Sequence, residues 1–171
     1  MNGVFCVCVG LLVLTGCNRD YARYVDRDNG FSVEYPRGWQ IKHVDQEGVA
    51  INFESPTEKP GDTFSENFSV TAGEYDREID PQTFANLSLG VTKSYISKFS
   101  IREQLPYKNG KIKGFSVLYE GKGFAGENLV FRQVFFVKGK SLFSIIFTME
   151  QDKLSQYLPV AHHVIDSFRF E

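Results

Sequence analysis

The sequence predicts an α+β domain built mainly on an antiparallel sheet. Stretches with apolar residues at every second position recur from Tyr24 onward, as in half-buried strands. Asn109-Gly110 separates two such stretches and is a strong hairpin signal, because this pair favours the turns that match strand twist. One stretch with helical spacing begins at Asp80-Pro81. The strand predicted at Leu129–Val137 is apolar on both faces, which indicates that other layers cover both faces of the sheet.

The first clear strand follows a turn. Asp28-Asn29-Gly30 is a turn signal, since Asn and Gly tolerate a positive φ. Residues Phe31–Tyr35 then alternate between apolar and polar side chains, and Pro36 ends the strand because it has no N–H for the ladder. Trp39 is the only tryptophan. We interpret it as a large core anchor that closes the sheet edge.

The next segments predict a hairpin, a loop and a further strand. Ile41–Val44 and Val49–Phe53 form the hairpin, with a glycine in its turn. The polar, proline-containing segment Ser55–Glu66 predicts a surface loop, which either carries function or is a tolerated insertion. Asn67–Glu74 returns to strand alternation.

The single long helix predicted mid-chain begins with a clear start signal. Asp80 is suited to cap the free amide groups, and Pro81 suits the first helical position. Apolar residues follow at spacings of three and four, which predicts a core-facing stripe and a helix that lies across the sheet. The stripe comprises Phe84, Leu87, Val91, Tyr95 and Phe99.

The second half of the chain predicts two more strand pairs. The Asn-Gly hairpin joins Ile101–Tyr107 to Ile112–Tyr119. A glycine-rich turn at Gly121–Gly126 joins two strands and lacks the Gly-Lys-Ser/Thr ending of a phosphate-binding loop. Leu129–Val137 and Leu142–Met149 are the predicted central pair of the sheet.

The end of the chain predicts a helix and a short closing segment. Helical character begins at Asp152, with an interruption or restart at Pro159 and an end at Asp166-Ser167. Phe168-Arg169-Phe170 then closes the chain.

The N-terminus resembles a bacterial lipoprotein signal. The apolar run Val4–Leu14 precedes Leu14-Thr15-Gly16-Cys17, which looks like a lipobox, the pattern after which the signal peptide is cut and the cysteine acylated. The apolar run has 11 residues, too few to span the bilayer core, for which a helix needs roughly 20 residues. Met1-Asn2-Gly3 lacks the Lys or Arg typical of the leading region. A spanning helix and a core strand are the alternative interpretations.

This interpretation divides the chain into three parts. Residues 1–16 are a lipoprotein signal peptide, residues 17–23 a tether that carries lipid on Cys17, and residues 24–171 the folded domain. The expected location is the bacterial cell envelope, facing the periplasm. Asn18 favours the outer membrane over the inner, because an Asp there commonly retains enteric lipoproteins at the inner membrane.

Composition excludes some functions. The net charge is −2 and no run of Lys and Arg occurs, which argues against a nucleic-acid-binding protein. Cys6 and Cys8 fall in the predicted signal peptide and Cys17 carries lipid, so the folded part has no free thiol and forms no disulfide.

No catalytic constellation is recognisable. The chain has no Gly-x-Ser-x-Gly motif, and its three histidines are His43, His162 and His163. Adjacent residues on a helix point about 100° apart, which is poor chelating geometry, so we expect one of the last two to be packed and the other solvated. Acidic residues precede the mid-chain helix at Glu74–Asp80. A solvated approach to the helix start is favoured there over a calcium site.

The order of elements resembles the PsbP-like/Mog superfamily, in particular its bacterial lipoproteins, the DcrB-like and PsbP-related proteins. The resemblance rests on Asn29–Pro36 with Gly38-Trp39, on the mid-chain helix, on Tyr157-Leu158-Pro159 and on Ser167–Phe170, and it covers roughly residues 24–170. It implies an antiparallel sheet of six or seven strands sandwiched by helices. Members bind partners: the plant form assists the oxygen-evolving photosystem and the fungal form binds a small GTPase. Their contact residues do not map onto this sequence.

Two functions follow as hypotheses. The first is a lipid-anchored, non-enzymatic binding or assembly domain of the cell envelope, attached to the membrane through Cys17 and recognising a protein partner. The alternative is a carrier of a hydrophobic small molecule or lipid in an apolar cavity. We expect no catalytic residues, no cofactor and no bound metal. A hydrolase of unknown type is the least favoured class.

Overall fold

The computed structural model describes residues 20–45, 48–62 and 64–171. The predicted signal peptide, residues 1–16, and the predicted lipid-attachment residue Cys17 lie outside these ranges. The described elements, in chain order, are β1 (Tyr21–Asp26), β2 (Phe31–Pro36), β3 (Gln40–Lys42), β4 (Val49–Glu54), β5 (Asn67–Glu74), α1 (Pro81–Thr92), β6 (Ser97–Asn109), β7 (Ile112–Lys122), β8 (Asn128–Lys138), β9 (Ser141–Glu150), a 3₁₀ turn (Gln151–Lys153), α2 (Leu154–Ser167) and β10 (Arg169–Phe170).

The strands form two antiparallel sheets. Seven strands build the main sheet in the order β3-β4-β5-β9-β8-β7-β6, and three build a small sheet in the order β1-β2-β10. This confirms the α+β fold and places β8 and β9 in the middle of the sheet, as their two apolar faces predicted. The covering layers differ from the expectation of helices on both faces, because the small sheet shares one face with α2. β1 begins at Tyr21, so it includes the last three residues of the predicted tether.

One face of the main sheet packs against α2 and the small sheet through a continuous aromatic core. Phe168 stacks on Phe136 with ring centroids 4.5 Å apart and lies 6.0 Å from Phe31. Tyr157, Ala161, Val164 and Ile165 are the buried residues of α2. The helix continues through Pro159, contrary to the predicted interruption, because four buried side chains outweigh the loss of one backbone hydrogen bond.

The opposite face is covered by α1, and here the predicted stripe is only partly right: Phe84 packs against Phe135 of the sheet, but the later stripe residues do not face the sheet from the helix. Ala85 and Leu89 are the buried residues of the helix. The exposed fractions of Leu87 and Val91 are 50% and 61%. The remaining stripe residues, Tyr95 and Phe99, lie beyond the end of the helix. Compared with the predicted orientation, α1 is rotated about its own axis so that Ala85 faces the sheet. Because the Ala85 side chain is small, the backbone of α1 lies close to β7 and β8.

The register of the sheet defines its two ends. Glu54 pairs with Asn67, and Asn67 pairs with Thr148 near the end of β9. Lys122 pairs with Asn128, where β7 ends and β8 begins. These strand termini share one end of the sheet with Trp39, which precedes β3, and we call it the Trp39 end. The hairpin at Gly110-Lys111 lies at the opposite end.

The Asn-Gly hairpin forms as predicted. Asn109 pairs with Ile112, so Gly110 and Lys111 are the two turn residues. Gly110 has a φ of +59°, while Lys111 does not have a positive φ. A positive φ at the first turn position alone is typical of a type II′ turn.

Candidate functional site

An open groove lies at the Trp39 end, between the segment that leaves β2 and the loop that follows β4. Its volume is about 470 Å³. Aromatic, proline and charged side chains form its lining, and we call it the Trp39 groove: Asp20, Pro36, Arg37, Gly38, Trp39, Pro56, Thr57, Glu58 and Tyr157.

Trp39 connects the groove to the core. Its backbone N–H donates to the carbonyl of Pro36 over 3.0 Å, in the tight turn that Pro36 and Gly38 permit. Its ring centroid lies 5.5 Å from that of Phe147 and 6.3 Å from that of Tyr157. Because the side chain is only half-buried, Trp39 is both the predicted core anchor and an apolar surface in the groove.

The loop of residues 55–66 forms the other wall. The backbone N–H of Ser55 donates to the carbonyl of Glu66 over 2.8 Å and closes the loop at its base. Glu58 accepts hydrogen bonds from the Tyr157 hydroxyl (2.6 Å) and from Gln156 Nε2 (2.8 Å). The prediction of a surface loop is confirmed for its middle, but its two ends are buried.

A partly buried ion cluster fixes this loop to Lys153, the last residue of the 3₁₀ turn that precedes α2. Lys153 Nζ lies 3.2 Å from Asp62 Oδ2, 3.3 Å from Glu66 Oε1 and 3.2 Å from Glu150 Oε2. Glu58 Oε2 is 3.6 Å from the same ammonium. The side chains of Lys153, Asp62 and Glu66 are 14%, 6% and 1% exposed, respectively. Among the four carboxylates around this ammonium, Glu58 lines the groove and gives this wall a negative charge.

The pKa values of the cluster follow from burial and charge. Burial raises the pKa of the Glu66 carboxyl, although Lys153 opposes this shift. Burial alone would lower the pKa of Lys153, but its hydrogen bonds to Glu150 and Asp62 and the charge of Glu66 raise it above its ordinary value. The hydrogen bond from Tyr157 lowers the pKa of Glu58. Lys153 therefore stays charged across the physiological range.

The cluster is built to bind its own lysine. Within residues 20–45, 48–62 and 64–171, no group of three or more His, Cys, Asp and Glu side chains is arranged to hold a metal ion. The ammonium of Lys153 occupies the centre of the carboxylates, where a cation would otherwise lie.

The acidic segment before α1 has a structural role: Asp80 Oδ1 accepts from the backbone N–H groups of Gln82 (2.9 Å) and Thr83 (3.0 Å).

The histidines lie elsewhere. His163 Nε2 is 2.7 Å from Glu34 Oε2, and the His163 ring stacks on Tyr21 with centroids 3.7 Å apart. His162 and His43 are exposed. This confirms the expectation that one of the two adjacent histidines is packed and the other solvated. The Glu34–His163 pair borders a second open groove of about 340 Å³, lined mainly by charged and polar side chains.

Sequence reasoning missed the ion cluster. The spacing of Glu58, Asp62 and Glu66 by four residues was a potential signal, but the loop is not helical and the spacing does not place them on one face. Nothing in the sequence marks Lys153 as their partner, because it lies 87 positions after Glu66. Of the predicted site residues, Cys17 lies outside the described residues, and Asp20, three positions later, lines the groove.

The interior of the domain is filled by packed rings. Phe53 stacks on Phe68 with centroids 4.5 Å apart, and both side chains are fully buried. Phe147 continues the stack at 6.0 Å from Phe68. This packing favours a binding surface over a carrier cavity as the functional feature.

Comparison with known proteins identifies the fold family. The sequence matches the PsbP family model over residues 19–98. Cyanobacterial PsbP (CyanoP) from Synechocystis sp. PCC 6803 has a similar structure, with a TM-score of 0.68, 17% identity and coverage of 98% of each chain. The chain therefore has a PsbP/Mog-like α+β fold.

Two further solved structures are similar at lower identity. One is LpqN, described as involved in cell envelope biogenesis of Mycobacterium tuberculosis. It has a TM-score of 0.65 at 9% identity, and the match covers 89% of this chain and 86% of the LpqN chain. The Ran-binding protein Mog1p of Saccharomyces cerevisiae has a TM-score of 0.58 at 11% identity, with coverages of 88% and 95%. No curated protein sequence matches this chain significantly. Among the described residues, no helix is long and apolar enough to cross a membrane.

Proposed function

We propose that this PsbP/Mog-like protein is a lipid-anchored, non-enzymatic binding domain of the bacterial cell envelope that recognises a protein partner in the Trp39 groove. The observation that carries the proposal is the groove itself. It combines the exposed part of Trp39 with Tyr157 and Arg37, and tryptophan, tyrosine and arginine dominate the binding energy of many protein interfaces.

The build of the groove supports a binding role. Trp39 is held from behind by Phe68 and Phe147, so its orientation is set before a partner arrives. The opposite wall is fixed by the Lys153 cluster and by the hydrogen bonds of Glu58. A preformed site binds with less loss of conformational entropy than a flexible one.

The position of the groove relative to the anchor supports a location at the membrane surface. Asp20 lines the groove, and only two residues separate it from Cys17. Three residue steps span at most about 11 Å in an extended chain. The description of LpqN as involved in cell envelope biogenesis and of Mog1p as a Ran-binding protein supports an envelope role and partner binding for this chain.

The anchor is tested by Cys17→Ser. Acyl chains contribute about 0.8 kcal/mol per buried CH₂, so we expect the wild-type chain in the membrane fraction and the variant in the soluble fraction. Mass spectrometry of the mature N-terminus identifies the acyl groups directly. A variant that stays in the membrane fraction, or an unacylated wild-type N-terminus, contradicts the anchor.

The proposed outer-membrane location is tested by separating the two membranes on a density gradient. We expect the wild-type chain in the outer-membrane fraction and Asn18→Asp in the inner-membrane fraction of an enteric host. Wild-type protein in the inner membrane contradicts this part of the proposal.

The partner site is tested by site-specific photocrosslinking in cells. A photoreactive residue at exposed Thr57 lies in the groove, and the same residue at Lys111 lies at the opposite end of the sheet and serves as control. We expect one reproducible protein adduct from position 57, none from position 111, and loss of the adduct in Trp39→Phe, which keeps an aromatic ring in the core. An adduct that is insensitive to Trp39→Phe, or no adduct at all, contradicts the groove as the binding site.

A further inference from the structure

Large apolar side chains are exposed where α1 ends and where the turn after β7 reverses the chain. Phe124 is fully exposed, with a relative exposure of 105%, and Tyr95 is 76% exposed. Val91, at the end of α1, is 61% exposed. A single exposed apolar residue is ordinary, but three together mark a contact surface.

The sheet register brings these residues to one corner. Ser97, two positions after Tyr95, pairs with Lys122, two positions before Phe124. Gly121 and Ile96 pack so closely that a Cβ on Gly121 would lie 2.1 Å from the Ile96 side chain. The two aromatic residues therefore extend from neighbouring points just beyond the last paired positions of β6 and β7.

The turn that carries Phe124 is held by several hydrogen bonds. The backbone N–H of Gly123 donates to the carbonyl of Glu127 over 3.0 Å, and that of Gly126 donates to the carbonyl of Gly123 over 3.1 Å. Lys122 Nζ donates to the carbonyl of Gly126 over 3.0 Å. A fixed turn presents the Phe124 ring to solvent, although none of these hydrogen bonds involves Phe124 itself.

This corner lies at the same end of the sheet as the start of the described chain. The backbone N–H of Arg37 donates to the carbonyl of Asp20 over 2.9 Å, which places Asp20 beside Trp39 at the Trp39 end. Lys122 and Asn128, the strand ends that flank the Phe124 turn, belong to that end too. A lipid on Cys17 would hold this end of the domain towards the bilayer.

The charges of the corner suit an anionic lipid surface. Lys93, Lys98 and Lys122 lie next to the exposed apolar residues. Acidic residues also lie near this corner, but two of them have partners: Glu127 accepts a hydrogen bond from the Ala125 backbone N–H over 3.2 Å, and Glu120 forms an ion pair with Arg102. Glu150 and Asp152 lie further along the same end of the sheet. Aromatic side chains flanked by lysines are typical of protein segments at the membrane–water interface. We call this surface the Phe124 tip: Val91, Lys93, Tyr95, Lys98, Lys122 and Phe124.

We propose that the Phe124 tip lies in the headgroup region of the membrane that holds the lipid anchor, with Phe124 and Tyr95 inserted and the three lysines on anionic headgroups. The inference rests on the proposed lipid anchoring. The bilayer thus contacts the domain at two points, the acyl chains and the tip, which restricts rotation of the domain about the tether and keeps the Trp39 groove, at the same end of the sheet, beside the membrane surface.

The test uses the full, acylated chain reconstituted into vesicles of phosphatidylethanolamine and phosphatidylglycerol. Phe124→Cys provides the single free thiol of the mature chain for a polarity-sensitive fluorophore. Lys111→Cys, at the opposite end of the sheet, is the matched control. Both positions are exposed, so neither substitution disturbs the core.

We expect the fluorophore at position 124 to shift to the blue, to lose most of its intensity with brominated lipids and to be shielded from aqueous iodide. The fluorophore at position 111 should behave as in water. Equal aqueous behaviour at both positions, in chains that float with the vesicles, overturns the inference and leaves the proposed function intact. Chains that do not float with the vesicles overturn both.

Two further results distinguish a lipid surface from a protein that covers the tip. A fluorophore at position 124 that is shielded in cells but aqueous in protein-free vesicles identifies a protein as the occupant and overturns the inference. We expect a smaller blue shift in vesicles of phosphatidylcholine alone, and an equal shift there overturns the role assigned to the lysines.

Discussion

The two faces of the main sheet are covered in different ways. On one face, α2 and the small sheet bury a network of rings in which Phe168 contacts Phe136, Phe31 and Phe143. On the other face, α1 buries Ala85 and Leu89 and leaves apolar side chains in solvent. One face is therefore sealed within the chain itself, whereas the other retains apolar surface that is available for contacts outside the chain.

The difference teaches that apolar spacing locates a helix but does not orient it. The spacing at α1 fits two overlapping stripes, one through Leu87 and Val91 and one through Ala85 and Leu89. The structure has the stripe through Ala85 and Leu89 facing the sheet, because the small Ala85 side chain lets the helix lie close to it. There Phe84 packs edge-on against Phe135, with ring centroids 5.1 Å apart. A larger residue at position 85 would push the helix away from β7 and β8.

The largest expected effect comes from truncating the sealed face. Phe168→Ala removes the ring that links α2 to both sheets and leaves a cavity, so the free energy of unfolding should fall by about 3–5 kcal/mol. Chemical denaturation monitored by Trp39 fluorescence measures the loss. Phe124→Ala, a truncation of an exposed ring, is the control and should leave the stability unchanged. A loss below about 1 kcal/mol for Phe168→Ala would mean that this core is not what holds the face closed.

The next largest effect concerns the ion cluster that fixes the loop of residues 55–66 to Lys153. Lys153→Met leaves the buried carboxylate of Glu66 without its counter-charge, which should lower the free energy of unfolding by about 3 kcal/mol at neutral pH. The matched variant combines Lys153→Met with Glu66→Gln and should recover part of the loss, because one unpaired buried charge is then absent.

The same variant should depend on pH with a definite sign. Without Lys153, burial raises the pKa of Glu66 in the folded state further above its unfolded value. A group with a raised folded pKa contributes stability below its unfolded pKa and loses it as the pH rises through the folded pKa. The deficit of Lys153→Met should therefore shrink in acidic buffer, and a deficit that does not change with pH would contradict the assignment.

A smaller effect is expected at the start of α1, on the thinly covered face. Asp80→Ala removes the cap that accepts from two backbone N–H groups and should cost about 1 kcal/mol. Hydrogen bonds from Thr83 hold the pKa of Asp80 below its ordinary value, so the cap contributes above the unfolded pKa and is lost as the pH falls. Asp76→Ala, in the same acidic segment but outside the cap, should be neutral by thermal denaturation. Equal losses for the two variants would argue for a role of the whole acidic segment.

The smallest effect tests the exposed side of α1 itself. Leu87→Ser and Val91→Ser should each change the free energy of unfolding by less than about 0.5 kcal/mol, because both side chains are largely in solvent. Leu89→Ser, on the buried side of the same helix, is the matched comparison and should be strongly destabilising. Similar losses for Leu87→Ser and Leu89→Ser would mean that the helix is oriented as its apolar spacing predicts.

Local chemistry made much of the fold predictable. The Asp80 cap, the Asn-Gly hairpin and the two apolar faces of β8 depend on residues close in the chain, and the structure has all three. Half of the candidate groove was also visible, since Pro36 and Trp39 stood out as a turn with a large aromatic residue. The other half was not, because Glu58 and Tyr157 lie 99 positions apart and meet only when α2 packs beside the loop.

By itself, the sequence determined both helices and most strands of the main sheet and proposed Cys17 as the anchor, because turn chemistry, periodicity and short motifs act over a few residues. Only the tertiary structure decided that Glu66 is buried against Lys153, that Arg169–Phe170 completes a second sheet on β2, and that Phe124 and Tyr95 share one exposed corner. These features depend on contacts between distant segments, and burial is a property of the packed chain as a whole.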